Sequence, residues 1–151
     1  MPLEVYKVRY TLAVPDPDMP GPRYHTVLFV KNTTNSDGTI HHVAGDLVSG
    51  MQYQAKKAKK PEDSQTFHNK ELLGTVDASK YPAAFDQICR QQPAPPKQKK
   101  YNPATNRTEQ VKPNGTFYAP GEPKPPMIKC TEWTETRAIP ALIQAGIIRP
   151  R

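Results

Sequence analysis

Proline sets the limits of what this chain can build. Of its 18 prolines, nine stand between Pro93 and Pro126. Proline donates no ladder hydrogen bond, and inside a helix it removes one and clashes with the preceding turn. Residues 92–127, otherwise rich in Lys, Asn and Thr, therefore read as a long surface insertion, with one short turn at Pro113-Asn114-Gly115-Thr116. Pro15-Asp16-Pro17-Asp18-Met19-Pro20-Gly21-Pro22 is a second such segment, a rigid loop between two strands.

Regular structure is expected in the intervals between. Residues 3–14 alternate, with Tyr6, Val8, Tyr10, Leu12 and Val14 on one face and Lys7, Arg9 and Thr11 on the other, the pattern of a half-buried strand. Residues 24–30 form a second strand, Asn35-Ser36-Asp37-Gly38 a hairpin turn, and residues 39–44 the returning antiparallel strand. Further strands are predicted over 51–55 and over 72–76, the latter interrupted by Gly74. Ser79 offers an N-cap to a helix that carries Tyr81, Phe85, Ile88 and Cys89 and ends near Arg90. Residues 130–144 present Trp133, Ile139, Leu142 and Ile143 as a helical face, which Pro140 must either kink or restart as a second short helix and which Gly146 stops. The fold class expected is α+β: an antiparallel sheet packed against helices, without internal repeats.

With 151 residues the chain suits one domain over 1–151. Its core is expected to be modest, because hydrophobic residues make up 36% and the mean hydropathy is -0.74. No stretch approaches the roughly 18 apolar residues of a membrane span, and the first residues lack a secretory pattern, so the expected location is cytoplasmic. Two cysteines make no disulfide framework and are expected as reduced thiols, which leaves the sequons at Asn32, Asn106 and Asn114 without relevance. The net charge of +7 is concentrated in Lys56-Lys57-Ala58-Lys59-Lys60 and Lys97-Gln98-Lys99-Lys100. Lacking interleaved aromatic residues or a reading helix, these runs suit solvated loops first, an acidic partner or phosphate second, and nucleic acid last.

The chemistry-bearing residues are few. Cys130 opens the last helix, where unpaired backbone N–H groups favour thiolate and can hold an oxyanion; a cysteine read alone is more often a small buried hydrophobe, and it is the histidine context that raises the site reading. His25 shares a strand face with Val27 and Phe29 and is either a hydrogen-bonded core residue or a site residue. His41 and His42 must point to opposite faces of their strand, so one of them shares the face of His25 and could orient its imidazole. Cys89 reads as a core residue beside Ile88, and His68 carries no signal. A zinc site from His25, His41 or His42, and Cys130 lacks the anchoring Cys-x-x-Cys or His-x-x-x-His pair. Serine-triad, dinucleotide and Walker signatures are missing, so no cofactor and no metal are expected.

Together, Tyr24-His25-Thr26-Val27-Leu28-Phe29-Val30, Gly38-Thr39-Ile40-His41-His42-Val43-Ala44-Gly45 and Lys129-Cys130-Thr131-Glu132-Trp133 resemble the circularly permuted papain-like group. That group includes the lecithin:retinol acyltransferase-like proteins and the permuted thiol peptidases. In the acyltransferase-like branch one His begins a strand, a second ends the next strand, and an Asn-Cys pair opens a helix. The resemblance implies His25 as general base, His42 as the orienting third residue and Cys130 as nucleophile, with His41 the alternative third residue. It further implies a hydrolase or acyltransferase that forms an acyl-enzyme on Cys130 from a peptide, isopeptide, ester or small-molecule acyl substrate. Thr26 and Lys129 stand where the group commonly has an aromatic residue and Asn. The alternative is a non-catalytic binding module on the same scaffold whose basic, proline-rich insertion engages an acidic partner. The two readings part at Cys130, which is exposed beside His25 in the enzyme and inert like Cys89 in the module.

Overall fold

A computed structural model describes residues 2–12, 23–32 and 37–151. Along the chain run β1 (Pro2–Thr11), β2 (Tyr24–Lys31), β3 (Gly38–Asp46), β4 (Gly50–Ala58), β5 (Phe67–Asp77), α1 (Ala83–Gln91), β6 (Lys99–Asn102), β7 (Arg107–Gln110), α2 (Cys130–Glu132), α3 (Ile139–Gln144) and β8 (Ile148–Pro150). A π-helical stretch, Trp133–Ala138, joins α2 to α3. Six strands form one sheet in the order β4-β3-β2-β1-β5-β8, every neighbouring pair antiparallel. The fold is mixed α+β, as the alternating and helical patterns predict. Asn35, Ser36 and the loop over 15–22 lie outside the described residues, so the expected hairpin turn and rigid loop are described only at their ends.

Both faces of the central strands are covered. On one face Val5, Leu28, Val30, Val43 and Val76 pack against Phe85 and Cys89 of α1 and against Cys130, Trp133, Ala138 and Leu142 of the last helical segment. On the other, Val8, Val27, Phe29 and Ile40 form a smaller cluster joined by Tyr6, Tyr10, Ala58 and Phe67. Val27, Leu28, Phe29 and Val30 are thus all at most 1% exposed, which is why β2 reads as an apolar run rather than as an alternation. Each such side chain contributes about 1.5–3 kcal/mol on burial.

β1 departs from its expected polarity. Lys7 and Arg9 lie on the helix side, where both reach Glu135 (3.1 and 2.6 Å). Charges on a covered face are tolerated because the opposite charge arrives with the helical segment. β4 and β5 are longer than expected, β4 carrying Lys56 and Lys57 within the strand. The predicted N-cap Ser79 instead lies in a short 3-10 turn capped by Asp77, whose carboxylate accepts the Ser79 N–H at 3.0 Å, and α1 starts at Ala83.

The short β8 was not visible in the sequence. It pairs with β5 only because Gly74 has no side chain: a Cβ there would lie 1.9 Å from the Arg149 carbonyl oxygen. Gly146 ends α3 with φ 73°, and the Ile147 N–H returns to the Leu142 carbonyl at 2.9 Å. Pro140 falls in the first turn of α3, where its missing N–H costs little.

The insertion is built, not structureless. β6 and β7 form a hairpin, and the expected turn near Gly115 brings Val111 to Phe117. Backbone bonds from Met51 to Pro95 (2.9 Å) and from Gln98 and Lys99 to Leu47 (2.7 and 3.0 Å) tie it to the β3–β4 turn. The Gln98 side chain brackets the backbone of Ile128 from both sides at 2.7 Å, and Val111 and Met127 are buried. Among the described residues no helix is long and apolar enough to cross a membrane.

Candidate functional site

The period of two decides which side chains can meet. His25 on β2 and His42 on β3 share the sheet face of Val27 and Ile40, away from the helices. His25 Nε2 and His42 Nδ1 are 2.9 Å apart, their rings edge to face. Lys56, opposite Ile40 in the β3–β4 register, stands beside both. The β4–β5 connection flanks this end of the sheet with Pro61 buried, and bounds an open basin of about 570 Å³ whose lining includes Tyr10, His25, Val27, Ile40, His42 and Lys56. Lys57, Lys59, Lys60 and Asp63 complete its rim.

Burial lowers the pKa of both imidazoles, and the Lys56 ammonium lowers them further. His42 falls to about 4, with the charge of His25 a second cause. At neutral pH the pair therefore holds two protons on four nitrogens. One occupies the bond between the rings and the other an outer nitrogen. The outer nitrogen of His42, Nε2, is buried and has no hydrogen-bond partner among the described residues, while the residue as a whole is 5% exposed. A buried polar atom without a partner costs about 1–3 kcal/mol, and the residue that carries it lines the basin.

Cys130 is on the other side of the sheet. It belongs to the helix-face cluster, 9% exposed, and its Sγ lies 3.8 Å from the Tyr24 carbonyl oxygen. Thr131 fixes it there: its hydroxyl meets that of Thr26 at 2.8 Å and the Tyr24 carbonyl at 3.2 Å. Glu132 accepts the Lys129 N–H at 2.9 Å and is held by both guanidinium nitrogens of Arg23, each at 2.9 Å. Burial raises the Cys130 pKa, against smaller lowering contributions from the Thr26 backbone, Thr131 and Arg23. The expected pairing of Cys130 with His25 is therefore not formed. Residues 24, 26 and 28 point to the helices, and His25, one position out of phase, points away from them. The nitrogen and sulfur ligands weighed for zinc are divided in the same way, and among the described residues no three His, Cys, Asp or Glu side chains are grouped to hold a metal.

His41, the alternative third residue, does face the helices. Its Nδ1 is 2.6 Å from the Tyr53 hydroxyl and its Nε2 2.7 Å from that of Tyr81; the Tyr53 hydroxyl donates to Asp86 at 2.7 Å. Burial keeps His41 neutral near pH 7, and Tyr53 gives its one proton to the Asp86 carboxylate, so the proton order follows. Tyr81 donates to Nε2, Nδ1 donates to Tyr53, and Tyr53 donates to Asp86. His41 is thus completely buried and fully bonded; burial takes its pKa down to about 4 despite the nearby Asp86 carboxylate. Cys89 lies by Tyr53 and burial pushes its thiol up to about 12. His68 stacks on Tyr24 at 4.3 Å.

Lys56 and Tyr10 are the site residues that the sequence reading did not assign. Both carry the required signal, an even-numbered parity that matches Ile40 and His42 across the register, but Lys56 was counted with a loop. The family model described as a family of unknown function, DUF6540, matches residues 6–149, so the chain belongs to that family. No curated protein and no solved structure matches it.

Proposed function

We propose that this member of the family is a non-catalytic binding module that takes an anionic group into the His25–His42 basin. The observation that carries this reading is the buried, unpartnered Nε2 of His42 under the Lys56 ammonium. A neutral imidazole that shifts its proton outward becomes a donor, and an anion supplies the missing acceptor while also meeting the lysine charge. The position of Cys130 supports the same reading, since a thiol raised by burial and separated by the sheet from its expected base lacks the partner that would activate it. We further place the module on a permuted papain-like scaffold, on the strength of the strand-borne His and the later helix-borne Cys.

The insertion is tied to the other end of β4. Gly50 contacts Lys97, whereas Lys56 is six residues on, about 20 Å along an extended strand. The anionic site in this reading is formed by the sheet and the β4–β5 connection, with the Lys97–Lys100 run left outside it.

The test is an imidazole 15N titration with sodium sulfate at constant ionic strength. Saturable shifts at His42 and His25, weakened in Lys56→Gln, are expected. A linear response shared by the surface histidine His68 would mean that no anion site exists.

A further inference from the structure

We propose that the basin is a site for a small molecule that carries a phosphate monoester, its phosphoryl oxygens taken by His42 Nε2–H and the Lys56 ammonium and its apolar body laid against Tyr10 and Ile40. This rests on the anionic reading above and narrows it to one ligand class.

Three features favour a phosphate over a carboxylate. The first is charge: Lys56, Lys57, Lys59 and Lys60 all border the basin, and the one carboxylate that lines it among the described residues, Asp63, already has Lys60 at 4.0 Å. That leaves an excess suited to a dianion. The second is the proton inventory. When His42 donates from Nε2, its Nδ1 must accept from His25 Nε2–H, and His25 Nδ1 is left as the open acceptor at the less buried ring. The couple thus presents a donor to the ligand and a protonatable nitrogen behind it, so a second negative charge can be met by uptake of one proton without breaking the His25–His42 bond. The third is shape. About 570 Å³ lies within the usual range of roughly 300–1,000 Å³ for small-molecule sites, and an apolar floor formed by half-buried Tyr10 beside Ile40 would be wasted on a bare ion.

Three probes separate the parts: phenyl phosphate, inorganic phosphate and benzoate, each titrated calorimetrically into the full chain, with long-range 1H–15N spectra recorded at saturation. Phenyl phosphate is expected to bind at least about tenfold more tightly than either of the others, since a charge-assisted hydrogen bond and a buried aryl ring are each worth more than about 1.4 kcal/mol. His42 is expected to show a protonated Nε2 in the complex. His42→Phe should lose about tenfold or more, and Lys56→Gln, at an exposed side chain, several-fold.

Benzoate binding as tightly as phenyl phosphate would overturn the phosphate assignment and leave the anionic module standing. Inorganic phosphate binding as tightly as phenyl phosphate would remove the role of the apolar floor. If none of the three saturates or shifts His42, both this inference and the binding-module reading fall.

Discussion

His41 and His42 are neighbours in the chain and opposites in everything that decides their use. His41 points to the helix-covered face and spends both ring nitrogens on tyrosine hydroxyls in a chain that ends at Asp86. His42 points to the other face, spends one nitrogen on His25 and leaves the other bare beside a cavity. Burial is nearly the same, 0% against 5% exposed, so burial does not distinguish a structural histidine from a binding one. The distinction is whether the protein itself completes the hydrogen bonds. Where it does, the residue stabilises; where it leaves one open at a cavity, a ligand has something to complete.

The sharpest break of this comparison is the loss of each ring in turn. His41→Leu is expected to destabilise the fold by about 3 kcal/mol or more, because it strands two buried hydroxyls and a carboxylate-bound network that the substitute cannot bond. His25→Gln, on the partly exposed side of the other couple, is expected to cost about 1 kcal/mol or less. Urea unfolding of the two variants measures the difference. Equal losses would mean that the open-face couple is as structural as His41.

Acid sharpens the same contrast. His41 has a folded pKa of about 4 against the ordinary 6.5, so the unfolded chain takes up the proton first. Its contribution is complete above pH 6.5 and is lost as pH falls toward 4, by up to about 3 kcal/mol at about 1.4 kcal/mol per unit. His42, lowered in the same direction for the same cause, adds to the slope in the same window. An occupied basin should flatten the His42 share, since an anion stabilises its protonated form, and leave that of His41 unchanged. Unfolding free energies between pH 4 and 7, with and without saturating phenyl phosphate, test this. A slope that the ligand does not alter would separate His42 from the site.

Much of this geometry was legible in the sequence, and the reason for the part that was not is specific. Alternation placed His25, Val27 and Phe29 on one face, and the hairpin placed one of His41 and His42 with them; both inferences follow from the period of two. Alternation does not say which face the helices take. In β2 the odd set, Val27 and Phe29, and the even set, Leu28 and Val30, are equally apolar and equally buried. Lys7 and Arg9 suggested that the even-parity face of β1 was the covered one, until Glu135 is placed opposite them. The attachment of the insertion left no trace in the sequence for a related reason. Its anchors are backbone groups and the amide of Gln98, which leave no mark in hydrophobic periodicity. β8 depends on Gly74, 76 residues before its partner Pro150, a pairing that only the assembled sheet reveals.

The smallest effect expected is at Cys130, and it tests whether the two faces communicate. The thiol is 9% exposed, its S–H points to the Tyr24 carbonyl, and the Glu132 carboxylate opposes ionisation while Arg23 favours it. Burial outweighs the favourable contributions, so the thiolate is scarcer than in a free cysteine near neutral pH, and the attacking species is scarce in proportion. In a Cys89→Ala background, alkylation of Cys130 by iodoacetamide should be slower than that of a free thiol, and His25→Ala should leave its rate and pH dependence unchanged. Cysteine 130 reacting faster than a free thiol, and slowing when His25 is removed, would place an imidazole at the sulfur after all. That would mean β2 rotates or its N-terminal end unpairs from Thr11, where it is last in the ladder, and would restore the acyl-enzyme chemistry that the Cys–His order in the sequence suggests.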